Sequence, residues 1–290
     1  VITQDDLTSA TGITEVSQFS VESLDLAGND LGRPILSFLD DRRFLRGAAG
    51  NRSLGAILVT PSLTEEASRE LDDSVTIIAV DDPRWAYFTL HNMIATRNES
   101  MLPATVIAGS ARVHPTAVVD EVGVVIDEGV VVEANATILR SSRLGAGVVI
   151  RAGATIGTIG FEHKRTSRGI LTVHHDGDTT IGPGTEIGAN AIVARGYQRR
   201  HTLIGADCRL DGGVFVAHGC HLGDRVFVAA GATMAGGVDI DDDAWIGPGA
   251  TLIDRVRVGA GARVGIGSVV FRNVAAGTQV LGNPARRFVS

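Results

Sequence analysis

The chain has 290 residues, a formal net charge of -7 and a pI of about 5.6, a balance that excludes the basic footprint of a nucleic-acid groove. No apolar run reaches the ~18 residues of a membrane-spanning helix, and no signal-peptide pattern opens the chain. Only Cys208 and Cys220 are present, too few for a disulfide framework, so a reducing cytoplasm is expected.

Residues 1–102 read as a small α/β domain. Asp5 to Ala10 starts a short helix with acidic residues near its N-terminus. Ala56 to Thr60 and Thr76 to Val80 are short, β-branched and apolar, as buried strands are. Leu63 to Leu71 and Pro83 to Asn98 have helical spacing, and Thr96 to Pro103 is a polar link. Hydrophobic residues are 44% of the chain but aromatics only 4%, so the core is built from Val, Ile, Leu and Ala in thin layers.

From Ile107 onward the chain is periodic. An aliphatic residue recurs every six positions at Ile204, Leu210, Val216, Leu222, Val228, Met234, Ile240, Ile246, Leu252, Val258, Val264 and Val270. Four positions after each, up to Val264, stands a small or β-branched residue, from Cys208 to Ser268. Ile126, Val132, Ile138, Leu144, Ile150 and Ile156 obey the same rule, after a one-residue slip that follows Val119. A helix repeats near 3.6 and a strand at 2. A sustained period of six predicts a parallel β-helix, three hexads to a coil, over residues 103–272 with a tail at 273–290. A polar loop at 157–180 interrupts it. The spacing of eleven from Val193 to Ile204 reads as two hexads short by one.

Several segments together resemble one family of left-handed β-helix acyltransferases, UDP-3-O-acylglucosamine N-acyltransferase of lipid A synthesis. Ile35 to Leu45 (ILSFLDDRRFL) resembles its uridine-binding segment, and Ile159 to His163 (IGFEH) its DGFGY loop. Glu186 to Gly196 (EIGANAIVARG) is similar to its EIGANTTIDRG. Leu210 to His218 (LDGGVFVAH) is similar to the segment carrying its catalytic histidine. The resemblance implies a mainly β fold, a left-handed parallel β-helix of hexapeptide repeats preceded by a small α/β domain, assembled as a homotrimer with the sites between subunits. Gly212, Ala194 and Arg255 depart from the family pattern, and Val280 to Phe288 (VLGNPARRF) looks like coenzyme A-dependent sugar acetyltransferases. The reading drawn from these departures is an N-acyltransferase that moves an acyl group, acetyl in the first instance, from acetyl-CoA to a UDP- or dTDP-linked amino sugar. The alternative is the lipid A reaction, with acyl carrier protein as donor.

N-acylation needs a base for the amine proton and donors for the tetrahedral oxyanion. His218 stands third in the hexad opened by Val216, off the inward row, and is the candidate base. One coil on is Gly236, whose N–H is the candidate oxyanion donor, and Gly237 leaves room for a pantetheine arm. Asp211 is a candidate to orient His218. Phe38 and Phe44 are candidates to sandwich a uracil ring, with Asp41 on its edge. Phe161, His163, His174 and His175 lie on the inserted loop, where substrate contacts are expected. Asn283, Pro284, Ala285 and Arg286 are candidates to line the coenzyme groove. No metal is expected. The γ-class carbonic anhydrases share the coil, but the spacing of His218 and His221, or of His174 and His175, does not match their zinc ligands. A trimeric, non-enzymatic scaffold is the other rival, and the VAH segment argues against it.

Overall fold

The computed structural model describes residues 1–198 and 200–287, so Phe288 lies outside the described residues. It divides into two compact units. One is Val1–Ser100 with Phe161–His174, and the other is Met101–Gly160 with His175–Ser290.

The first unit is built on four parallel strands in chain order, Ser23–Leu24, Ile35–Leu39, Leu54–Val59 and Thr76–Ala79. Strands covered on both faces need continuous apolar runs, and in Leu54–Val59 every residue but Gly55 is buried. The same unit holds helices α1 (Gln4–Thr11), α2 (Leu45–Ala49), α3 (Thr64–Glu70) and α4 (Pro83–Glu99), and a short antiparallel pair, Ile2–Thr3 with Ser20–Val21. These elements match the expected helices and two of the strands. Ile35–Leu39 is a further strand of the sheet, as its apolar ILSFL run requires.

Helix α4 starts at a strong stop-and-start signal. The Trp85 N–H donates to Asp82 Oδ1 at 2.8 Å, and Pro83 occupies the first turn, where its missing N–H costs nothing. One face of α4 holds a hairpin formed by His163–Thr166 and Gly169–Thr172, within the same unit. Lys164 lies 4.8 Å above the Phe88 ring and Arg168 3.6 Å above Trp85. The Ser167 N–H donates to Asp82 Oδ2 at 2.6 Å. Asn92 donates to Thr172 O and accepts the His174 N–H, both at 2.8 Å. His91 Nε2–H donates to His174 O at 2.8 Å, and His174 Nε2 pairs with Glu99 Oε2 at 3.1 Å. The inserted loop is thus a fastened hairpin. Residues 85, 88, 92 and 99 recur at helical spacing, which brings them to one side.

The second unit is the parallel β-helix. Among the described residues its strands fall into three sheets, of eight, ten and eight strands, all parallel except the last strand, Arg286–Arg287. We name each face by an inward residue: the Ile204, Leu210 and Val216 faces. Along most of the coil each strand pairs with the one three hexads later, as in the series Val216, Met234, Leu252 and Val270. All of the inward aliphatic row from Ile126 to Val270 is buried, and the small residues Cys208, Ala232 and Ala250 are fully buried beside it. Spacing between rungs leaves little room at some corners: a β-carbon on Gly247 would stand 2.8 Å from the backbone of Gly265 and Ile266. The one-residue slip is real, since Ile107 pairs with Ile126.

Two larger departures interrupt the period. Ile156 pairs with Val193 across the loop expected at 157–180. Val193 pairs with Val216, and Ile181 with Ile204, each pair separated by three hexads and five further positions. This corrects the reading of the second gap. The spacing of eleven from Val193 to Ile204 is one hexad with five residues added, not two hexads short by one. The added residues loop out around an antiparallel bridge between Tyr197 and Arg200. At the other end the coil continues past Arg272: Gln279–Leu281 pairs with Arg263–Val264, and Arg286–Arg287 folds back on it.

Candidate active site

His218 follows the strand Phe215–Val216 at the corner between the Val216 and Ile204 faces. The corner is tight: Gly219 and the equivalent Gly237 sit at φ of 66° and 68°, a left-handed conformation that glycine adopts without strain. The Gly237 N–H donates to His218 O at 2.9 Å, and the Gly219 N–H to Thr202 Oγ1 at 2.9 Å. Arg200, from the five-residue excursion, ties the two corners together. Its Nε donates to Gly219 O at 2.6 Å, and its Nη2 to Gly237 O at 3.1 Å and Asp239 Oδ1 at 2.8 Å.

The imidazole of His218 lies against the Gly236 backbone. A β-carbon on Gly236 would stand 2.6 Å from Cε1 and 2.8 Å from Nε2 of that ring. The register predicted from the period, one coil from His218 to Gly236, therefore places the two side by side. The Gly236 carbonyl accepts the Arg255 N–H at 3.0 Å, and among the described residues no acceptor takes the Gly236 N–H. A half-buried imidazole beside a backbone N–H can accept a proton and face an oxyanion in one place.

Two more rings meet His218. His175 lies 5.6 Å away between centroids, and Tyr197 5.0 Å, both edge-on. Tyr197 and Arg200 were not among the sequence candidates. The signal that could have found them was the irregular gap between Val193 and Ile204.

Asp211 is not brought to His218. It follows Leu210 at the preceding corner, where its Oδ1 accepts the Gly212 N–H at 2.6 Å. With that oxygen held at its own turn, Asp211 makes no contact with His218 among the described residues. Asp211 instead edges a groove of about 550 Å³ on the Leu210 face, with Arg151, Arg209, Phe227 and Trp245. There Arg151 bridges Glu133 and Glu186, each at 2.7 Å, and its hydrogen bond is the main reason the Glu133 carboxyl titrates below its ordinary range.

Asn283, Pro284, Ala285 and Arg286 wind against the last rungs. The Ala285 N–H donates to Val269 O at 2.8 Å, three rungs along from Val216. At ~4.8 Å per rung they sit roughly 14 Å along the coil from Gly237. His221, for which the sequence suggested no partner, donates from Nε2 to His201 O at 3.1 Å.

In the first unit, Phe38 packs into an aromatic cluster with Tyr87 and Phe88, at 4.9 and 5.6 Å between centroids. Phe44 is 52% exposed beneath Arg43, so the structure does not pair it with Phe38. Asp41 accepts the Arg43 N–H at 2.9 Å and edges a polar cavity of about 240 Å³. Asp40, Asp82, Arg84 and Arg165 also line it, at the carboxyl ends of the parallel strands, where such sheets place ligands. Burial of Asp82 works against its charge. The Trp85 and Ser167 N–H groups outweigh that and hold the carboxyl below the usual range. Phe161 is 86% exposed and meets His163 edge-on at 4.7 Å; His163 Nδ1 shares a hydrogen bond with Thr172 Oγ1 at 3.0 Å. Among the described residues no group of three or more His, Cys, Asp or Glu is arranged to hold a metal ion. No helix among them is long and apolar enough to cross a membrane.

Comparison with known proteins bears on this corner directly. Residues 201–236 match the family described as "Bacterial transferase hexapeptide (six repeats)", a span that contains both His218 and Gly236. The chain is 44% identical over 147 residues to UDP-3-O-acylglucosamine N-acyltransferase 2 of Legionella pneumophila (strain Paris), covering 51% of this chain and 43% of that one. It is 26% identical over 233 residues to UDP-3-O-acylglucosamine N-acyltransferase of Pseudomonas aeruginosa (strain UCBPP-PA14), covering 71% and 64%. The matches therefore span less than two thirds of the length of these relatives. Among solved structures, UDP-N-acetylglucosamine acyltransferase from Campylobacter jejuni superimposes with a TM-score of 0.50 at 25% identity, over 61% of this chain and 74% of that one. The fold is the expected one, a left-handed parallel β-helix of hexapeptide repeats preceded by a small α/β region.

Proposed function

We propose that this chain, which carries the hexapeptide-repeat coil of the bacterial transferases it resembles, is an N-acyltransferase acting on a nucleotide-linked amino sugar. The observation that carries the reading is the His218 imidazole lying against the Gly236 backbone, inside the segment that matches the transferase repeats. His218 takes the proton of the attacking amine as the C–N bond forms at the thioester carbonyl. The oxyanion that develops faces the Gly236 N–H. The C–S bond then breaks, and the leaving thiolate takes the proton back from the imidazolium.

The names of the relatives favour one acceptor, and the family resemblance pairs it with one donor. We assign the acceptor to the UDP-3-O-acylglucosamine class and the donor to an acyl chain on acyl carrier protein. The transfer of acetyl from acetyl-CoA, favoured by the sequence departures, stands second. The polar cavity at Asp41 in the first unit is the candidate for the nucleotide. Assembly is proposed to be a homotrimer through the Val216 face and the setting cytoplasmic. That face carries Val118, Thr137, Thr155, Ile192, Phe215, Thr233, Thr251 and Val269 outward, none of them charged, whereas the other two faces carry Arg, Asp and Glu.

The test is thioester consumption with 3-hydroxyacyl carrier protein and with acetyl-CoA, each against UDP-3-O-acylglucosamine and a panel of UDP- and dTDP-linked amino sugars. Turnover with the carrier protein and UDP-3-O-acylglucosamine is expected, and His218→Ala should lower it by roughly 10²–10⁴-fold. Turnover only with acetyl-CoA would move the assignment to the second donor. Full activity of His218→Ala would remove the base.

A further inference from the structure

His218 sits among groups that a regular coil could not supply. In an uninterrupted β-helix, an outward residue at a corner has neighbours chiefly one rung before and after. Here the chain leaves the hexad period twice between Ile156 and Ile204, and both departures deliver a ring to this corner. His175 arrives where the chain re-enters the coil after its first departure. Tyr197 comes from the five added residues.

The three rings form a closed set. His175 and Tyr197 are 5.4 Å apart, and they stand 5.6 and 5.0 Å from His218 at interplanar angles of 70° and 72°. His175 is fully buried. Two glycines complete the enclosure. A β-carbon on Gly160 would stand 2.9 Å from His175 Nε2 and 3.0 Å from His218 Cδ2, and Gly236 bounds the opposite edge of the imidazole. Edge-to-face packing is directional, because the positive ring edge seeks the negative face. Two such contacts from different directions restrict both the tilt and the rotation of the third ring.

We propose that His175 and Tyr197 are positioning residues for His218, a ring clamp that holds the imidazole against the Gly236 backbone. The inference rests on the reading of His218 as the base. The clamp's role is orientation: a base displaced by about an ångström loses on the order of 10²-fold in rate. Substrate affinity does not depend on it, so the loss falls on kcat.

The experiment compares Tyr197→Ala, Tyr197→Leu, Tyr197→Phe and His175→Ala with His218→Ala, measuring kcat and KM for the acyl thioester. The ring signals of His218 are followed in parallel by NMR in the absence of substrate, assigned by their loss in His218→Ala. Tyr197→Ala, Tyr197→Leu and His175→Ala should lower kcat about 10- to 100-fold with KM within about threefold of the parent. Tyr197→Phe should keep kcat within about threefold. The His218 Cε1–H signal should move and broaden in Tyr197→Leu, whether or not turnover is measurable, and stay in place in Tyr197→Phe. Unchanged kcat and unchanged His218 signals in both Tyr197→Leu and His175→Ala would overturn the clamp while leaving the base intact. A loss in Tyr197→Phe as deep as in Tyr197→Ala would also overturn it, because the hydroxyl would then be doing chemistry. Full turnover of His218→Ala would instead remove the base reading itself.

Discussion

Gly236 offers a steric probe of the candidate site that leaves the backbone alone. Its φ is not positive, so alanine is conformationally permitted, and the atoms nearest to a β-carbon there all belong to the His218 ring. Gly236→Ala should turn that ring away and lower turnover by about 10²-fold or more, while the urea midpoint changes little. Parent-like activity in a folded Gly236→Ala protein would mean that the imidazole need not lie there. The thiols allow a complementary test of burial. Desolvation pushes Cys220 up to about 12, and Cys208 is raised for the same first reason. A thiolate is the reactive form. Both cysteines should resist iodoacetamide at pH 8 in the native protein and react fully in urea. At this scale the sequence was informative where the period applied. His218 and Gly236 could be paired because three hexads close one coil. His175 and Tyr197 could not be placed, since each lies where the repeat is broken and no spacing rule reaches it. Asp211 shows the opposite limit: a position near in sequence, yet satisfied by its own turn.

Among the elements, α4 does more than pack: it fastens the hairpin. Asp82 caps its first turn with one oxygen and takes the Ser167 N–H with the other, so a single carboxylate joins the helix to the hairpin. Asp82→Ala should cost about 1 kcal/mol or more through the cap, and Asp82→Asn less, by urea denaturation of the whole chain. The pH dependence follows from the depressed carboxyl. Its stabilisation is fully present above the unfolded Asp value of about 3.9 and is lost as pH falls through the lower folded value. Asp82→Ala should therefore narrow the stability gap to the parent as pH drops below about 4. A gap that widens in acid would contradict this. The helix itself was legible from Pro83 onward. Its partner was not, because the cation–π contacts of Lys164 and Arg168 join the helix to a distant part of the chain, which leaves no local pattern.

For the molecule as a whole, the period was enough to predict a stacked parallel coil, its inward row and its corner residues, and the structure has all three. Its assembly is the part that one chain's repeat cannot encode, since outward residues answer to whatever covers them. The uncharged Val216 face gives that question a handle. Thr251→Arg places a charge at its outward, exposed position, where burial without a partner would be costly. If this face joins the proposed trimer, sedimentation should show Thr251→Arg shifted toward monomer, with the coil's circular dichroism preserved. An unshifted oligomer would direct attention to another face.

The pairing of like with like, rung upon rung, has a practical corollary. Between the His218 corner and Val258 the rungs of the coil share the same entry and exit. Removing one whole rung, such as residues 241–258, would join Ile240 to Gly259 in unchanged phase and shorten the shaft by ~4.8 Å. A deletion here that is not a multiple of six residues would put the inward row out of phase, unless the difference looped out as it does between Val193 and Ile204. The protein's reach along this axis is graduated, and can be altered only in whole steps.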